Sequence, residues 1–200
     1  MAILNYSPPT EPYLDILFRD EHLIVLNKPS GLLSVPGKAL EHKDCLQNRV
    51  QTVFPTATVV HRLDMATSGI MVMAMHKDAH RKISKQFELR QTSKRYLARV
   101  FGEIDNTEGT VDLPLICDWP NRPKQMVDHE RGKKAQTHYR VLQSDDCESL
   151  VELTPITGRS HQLRVHMLSL GHPILGDRLY AHPQALAAAN RLQLHAQQLA

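Results

Sequence analysis

The stretch Val59 to Ala74, VVHRLDMATSGIMVMA, sets a carboxylate beside an arginine and a histidine between two apolar runs. Val59-Val60 and Ile70 to Ala74 have the character of buried strand. His61, Arg62, Asp64, Thr67, Ser68 and Gly69 between them are too polar to bury without partners. A carboxylate that serves as a nucleophile or acid–base group must stay ionised near neutral pH while partly shielded from water, and a nearby arginine favours the charged form. Taken alone, such an Asp is more often a cap or turn residue of an ordinary loop. A second intrusion of charge weighs against that reading. Arg164 sits in HQLRVHMLSL among Leu163, Val165, Met167, Leu168 and Leu170, where a buried guanidinium needs a carboxylate or phosphate partner. Asp64 is a candidate for that partner; escape of Arg164 to solvent, or a bond to a backbone carbonyl, competes with it.

Three further features carry weaker signals. TGRSH puts a glycine, an arginine and a serine at the start of a helix, where free N–H groups favour an anion; a plain capping turn is the commoner meaning. Tyr96 follows Lys94-Arg95, so its ring could stack on a base or transfer a proton, or simply pack as a strand residue. His61, His161, His166, His172 and His195 raise the question of a metal. No HExxH-type pair occurs, and His161 and His166 are five apart, a spacing that splays two side chains on a helix. NKPSG, with Lys28, lacks the glycine spacing and ending of a phosphate loop.

The elements that must position these residues are short. DILF and HLIVLN read as a hairpin turning at RDE. Cys45 to Phe54 has apolar residues at 46, 50, 53 and 54, as an amphipathic helix ending before Pro55 would. Asp78 is placed to cap a helix through about Arg90, with Ala79, Ile83 and Phe87 on one face and Arg81, Lys82 and Lys85 on the other. RYLARVFG and GTVDLPL are strands. AQTHYRVLQ and SLVELTPI form an antiparallel pair joined around Ser144-Asp145-Asp146, with Ala135, Thr137, Tyr139 and Val141 on one face. HQLRVHMLSL is a helix that Ser160 can cap and that Gly171 and Pro173 end. From about Pro183 the chain looks helical, at least to Leu192. Short hairpins and scattered helices make this an α+β chain with a mainly antiparallel sheet.

Composition bounds the rest. The 200 residues, 42% hydrophobic, suffice for one sizeable core or two closely packed lobes. No apolar run is long enough to span a membrane, and MAILNYSPPTEPYLDIL lacks the pattern of a secretory signal. Cys45, Cys117 and Cys147 are odd in number and far apart, which suits a reducing cytoplasm better than a disulfide framework. The net charge is only +3, yet residues 76–99 hold eight Lys/Arg against two acids. That local excess suggests a polyanion-binding face, or else a solvated helix face.

Four blocks in order resemble the RluA-type pseudouridine synthases: VLNKPSGLLSVPG, HRLDMATSG with Asp64, KRYLARVFG with Tyr96, and ITGRSHQLRVHMLSLGHPILGDRLY with Arg164. The resemblance covers nearly the whole chain. It implies a single catalytic domain over residues 1–200, with a mixed, mainly antiparallel sheet, surrounding helices and a central RNA-binding cleft. It implies isomerisation of uridine to pseudouridine with no cofactor and no metal. By motif, Asp64 is the essential carboxylate, Arg164 pairs with it, and Tyr96 packs on the flipped uracil. The RNA contacts would fall to His61, Arg62, Thr67, Lys94, Arg95, Arg159 and His161, with Arg62 filling the gap left by the extruded base. LPLICDWPNRPKQ, and the lack of an added N-terminal RNA-binding domain, place the likeness among dual-specificity members. Those act on 23S ribosomal RNA and on the anticodon stem–loop of certain transfer RNAs. Members of the family normally continue past LHAQQLA into one more strand pair. A monomer in the cytoplasm, with no membrane partner, is the simplest expectation. The competing readings are a non-catalytic RNA-binding module with an inactive site and, more remotely, a metal-dependent nuclease.

Overall fold

A computed structural model describes residues 6–200. Residues 1–5, the start of the segment read as carrying no secretory signal, lie outside the described residues. Two compact units emerge, one holding residues 6–93 together with Ala196–Ala200, the other Lys94–His195.

The first unit opens with the hairpin expected from the sequence, β1 (Ile16–Arg19) and β2 (Leu23–Lys28), paired antiparallel. The Asp20 carboxylate ties the turn by accepting from the His22 and Leu23 amides. In β2 the alternation buries Ile24, Leu26 and Lys28, so a lysine occupies the third inward position. Helix α1 (Leu46–Gln51) follows; its Arg49 is fully buried and bidentate on Asp44. Strands β3 (Thr58–Val59) and β4 (Ser68–Ala74) pair with each other, and β4 also pairs with β2, all antiparallel. Helix α2 (Lys77–Glu88) packs Ala79, Ile83 and Phe87 inward and leaves Lys77, Arg81, Lys82 and Lys85 exposed.

Capping of α2 differs from expectation. His76 is the N-cap, its Nδ1 accepting from the Ala79 amide, and Asp78 lies in the first turn against Arg81. Asp78 still meets the positive end of the helix dipole there, while His76, two residues earlier, reaches the free amide.

The second unit carries the antiparallel order β5-β10-β9-β6, built from β5 (Lys94–Phe101), β6 (Glu108–Asp112), β9 (Gln136–Ser144) and β10 (Glu148–Pro155). A separate hairpin pairs β7 (Leu115–Cys117) with β8 (Gln125–Val127). Ala135, Thr137 and Tyr139 are buried as their alternation required. Helix α3 (Gln162–Ser169) ends in a Schellman arrangement: Gly171, at φ 87°, donates to Leu168 O and His172 to Met167 O. Its N-cap is His161, in the left-handed region at φ 53°, and no side chain caps it. Ser160 therefore does not take the expected role.

The C-terminal expectation also changes. Helix α4 (Pro183–Ala187) is five residues long, and Leu194–Leu199 form strand β11 rather than extending a helix. Alternating Leu194 and Ala196 are buried, a strand signal that the alanine-rich stretch before them obscured. In the first unit, Gly69 of β4 runs so close to Ala196 that a Cβ would meet its backbone, and φ 116° further restricts the position to glycine. The fold is thus α+β with a mainly antiparallel sheet, as the sequence indicated.

Candidate active site

Asp64 stands on the loop between β3 and β4, and its backbone is braced almost residue by residue from the segment after β2. The Ser34 hydroxyl donates to Leu63 O (2.7 Å) and accepts from the Leu63 amide (3.2 Å). Met65 O accepts from the Gly31 amide (2.9 Å) and from Lys28 Nζ (3.0 Å). Ala66 O accepts from the Ser30 hydroxyl (2.7 Å), and the Thr67 amide closes the turn onto Asp64 O (3.1 Å). The NKPSGLLS segment is therefore a cradle of donors for LDMA. A loop with its polar backbone so paired presents its side chain from a fixed base.

Lys28 is the least ordinary member. It is fully buried and donates to three carbonyls, those of Pro29, Leu32 and Met65, matching the three N–H groups of an ammonium. Burial nevertheless pulls its pKa from 10.5 to about 7, and the charge of Asp64 pushes back upward. Lys28 thus works as a buried strut beneath the loop. The failed phosphate-loop reading agrees: its nitrogen faces carbonyl oxygens.

In the second unit, Tyr96 follows Lys94 and Arg95 on β5 and shares the inward face with Ala98 and Val100. Burial lowers the pKa of Lys94. Arg164 is buried on α3, and its Nε and Nη2 grip both oxygens of Asp177 at 2.7 and 2.6 Å. Asp177, 1% exposed, also accepts from the amides of Leu179 and Tyr180. The Tyr180 ring lies against the guanidinium at 5.0 Å, and its hydroxyl is bonded to His161 Nδ1 (2.7 Å) and to the Gln125 amide (2.8 Å). The TGRSH turn before α3 is organised by Gln162. Its Oε1 accepts from Thr157 Oγ1 and the Arg159 amide, and its Nε2 donates to Gln136 O and Thr137 Oγ1.

The braced loop, the strand with Tyr96 and the helix with Arg164 follow one another in the order of the sequence blocks quoted above. A family model for RNA pseudouridylate synthase matches residues 22–169. The chain belongs to that family. It is 60% identical over 200 residues to the dual-specificity RNA pseudouridine synthase RluA of Salmonella typhimurium, covering the whole chain and 91% of that protein. It is 63% identical over 185 residues to the protein of the same name from Yersinia pestis, covering 92% of this chain and 90% of the relative. Among solved structures, human RNA pseudouridylate synthase domain containing 1 superposes with a TM-score of 0.81 at 30% identity, over 96% of this chain and 80% of that one. RNA pseudouridine synthases are isomerases, and this chain is an enzyme of that class.

Within this pseudouridine synthase the residues singled out from sequence fall into two sets. His61, Arg62, Asp64 and Thr67 lie in the first unit; Lys94, Arg95, Tyr96, Arg159, His161 and Arg164 lie in the second. Arg62 is exposed beside Asp64. His61 accepts from the Val72 amide (3.0 Å) and stacks on Phe87 (4.7 Å), while Thr67 is buried inside the loop; both brace it. Arg95 pairs with Glu152 (3.4 Å). Arg159 is exposed, with Nε on Lys134 O. Among the described residues no cluster of three or more His, Cys, Asp or Glu could hold a metal, and no helix is long and apolar enough to cross a membrane. Sequence reasoning missed Ser34, Gln162, Asp177 and Tyr180. Asp177 was findable, because in PILGDRLY it intrudes on apolar residues much as Arg164 does.

Proposed function

We propose that the chain isomerises uridines in two RNAs, the anticodon stem–loop of transfer RNA and a hairpin of 23S ribosomal RNA. Its relatives carry dual specificity in their name, and the sequence resemblance supplies the two RNAs. The uridine must leave its stack, at a cost of roughly a few kcal/mol. Asp64 is the catalytic carboxylate, Tyr96 packs on the uracil, and Arg164 is the cation that balances Asp64. The bond from N1 to C1′ breaks, the uracil turns, C5 joins C1′, the proton on C5 leaves to solvent, and N1 takes up a proton in its place. Atoms are conserved, so the reaction consumes no co-substrate. Arg62 fills the vacated space, and His61, Thr67, Lys94, Arg95, Arg159 and His161 line the RNA path or hold it in shape. The chain acts as a cytoplasmic monomer, its two units serving one catalytic domain.

The observation that carries this reading is the donor cradle around the Asp64 loop, a structure more elaborate than a turn requires. The test is to incubate the chain with each RNA and map pseudouridine by nucleoside analysis of defined fragments. Product in both RNAs supports the proposal. Product in one removes dual specificity, and binding of both without product marks a non-catalytic module.

A further inference from the structure

We infer that Trp119, at the tip of the β7–β8 hairpin, is a stacking platform for an unpaired RNA base beside the uridine that reacts. This rests on the pseudouridine synthase reading above and extends it to a recognition residue. Trp119 is 66% exposed, more than Tyr13 or Phe18. Its ring is not loosely displayed. The Arg122 guanidinium lies over it at 4.6 Å, and the tip is closed by hydrogen bonds from the Asp118 amide to Lys124 O, from the Lys124 amide to Asn121 O, and from Asn121 Nδ2 to the Asp118 carboxylate. Arg122 occupies one side of the indole, and the exposure leaves the rest of the ring to a ligand.

The surroundings select the ligand. A protein anchor would sit in an apolar patch, whereas the hairpin tip around Trp119 carries Asp118, Asn121, Arg122 and Lys124, with Asp118 held by Asn121 and Arg122 lying over the ring. A flat π-face flanked by cations fits a nucleobase with its phosphate, and such stacking accepts any base. Sequence-selective RNA recognition relies on splayed, unpaired bases of this kind.

The base of the hairpin ties this platform to the residues around Arg164. Leu115 is buried with Ala135 and Val165, and Val127 and Tyr180 pack on that cluster. The Gln125 amide donates to the hydroxyl of Tyr180, the same side chain that faces Arg164 and bonds His161. A base held on Trp119 is thereby referenced to the α3 side chain proposed to serve the reaction.

Trp119 is the only tryptophan of the chain, so its emission reports the event directly. Asp64→Asn protein, which keeps the hairpin intact, would be titrated with a dye-labelled uridine-loop hairpin and with a fully paired duplex of equal length, anisotropy of the dye giving binding independently. The expected result is strong quenching of Trp119 by the hairpin and little by the duplex. In the otherwise wild-type chain, Trp119→Ala raises KM on the order of tenfold with kcat retained, and Trp119→Phe recovers most of the loss. Hairpin binding with unmoved emission, or an unchanged KM in Trp119→Ala, would overturn the inference. A purely structural role would lower the Tm of Trp119→Ala without RNA-dependent quenching, and would overturn it equally. Tritium release from C5-labelled uridine by the wild-type chain separates the two levels. Release with a silent Trp119 removes this inference alone, and no release removes the reading beneath it.

Discussion

Lys28, Asp64, Arg164 and Asp177 are charged side chains set among apolar residues, as is the buried Arg49 of α1. Sequence reasoning reached Asp64 and Arg164 because each stood among Val, Ile, Leu and Met. The same test applied to PILGDRLY would have reached Asp177. The sequence offered Asp64 as a partner for Arg164 and did not reveal that the Asp177 carboxylate lies within 2.7 Å of it. The buried pair sets a clear expectation. Removing Asp177 strips the buried Arg164 guanidinium of its bidentate carboxylate and leaves the amides of Leu179 and Tyr180 without that acceptor. Urea denaturation of Asp177→Ala should therefore show a loss of about 3–5 kcal/mol. A loss below about 1 kcal/mol, the range of exposed pairs, would mean that solvent reaches the site.

Strands were legible where alternation was clean, as in β2, β9 and β10, and helix ends were not. Asp78 and Ser160 are good capping types, yet His76 and His161 hold the N-cap positions because backbone phase, not residue type, decides where each helix starts, and only His76 also caps with its side chain. The C-terminal β11 was hidden by the alanine-rich residues before it. The β2-to-loop cradle was hidden for a different reason: Lys28 continues the inward alternation of Ile24 and Leu26, a place where lysine is rarely found. Its consequence is a pH signature. With a folded pKa of about 7 against 10.5 when exposed, the unfolded chain binds the proton that the folded chain releases between those values. Stability should therefore rise as pH increases from about 7 toward 10.5, and the contribution should be absent below 7. Unfolding of the wild type and Lys28→Met across this range checks it: the wild type gains relative to the variant as pH rises. Parallel curves would show that Lys28 keeps its proton throughout.

Charge is the property of the whole molecule that the sequence located but did not resolve. The basic run 76–99 divides between the two units. Lys77, Lys82 and Lys85 lie exposed on α2, whereas Arg99 is bidentate on Glu148 and Arg95 pairs with Glu152. Within this run, the exposed α2 lysines are therefore expected to release counterions on binding RNA. Replacing its three lysines by Gln should reduce the slope of log affinity against log salt by about 2–3, and Arg99→Gln should leave the slope unchanged. An effect confined to Arg99 would place the phosphate path elsewhere. The central claim, that the cradled Asp64 drives C5 substitution of uridine, has a more direct test: tritium release from RNA labelled at uridine C5 by the wild-type chain and by Asp64→Asn at matched RNA binding. The account predicts release by the wild type and none above background by the variant, with affinity retained. Equal release by both would contradict it.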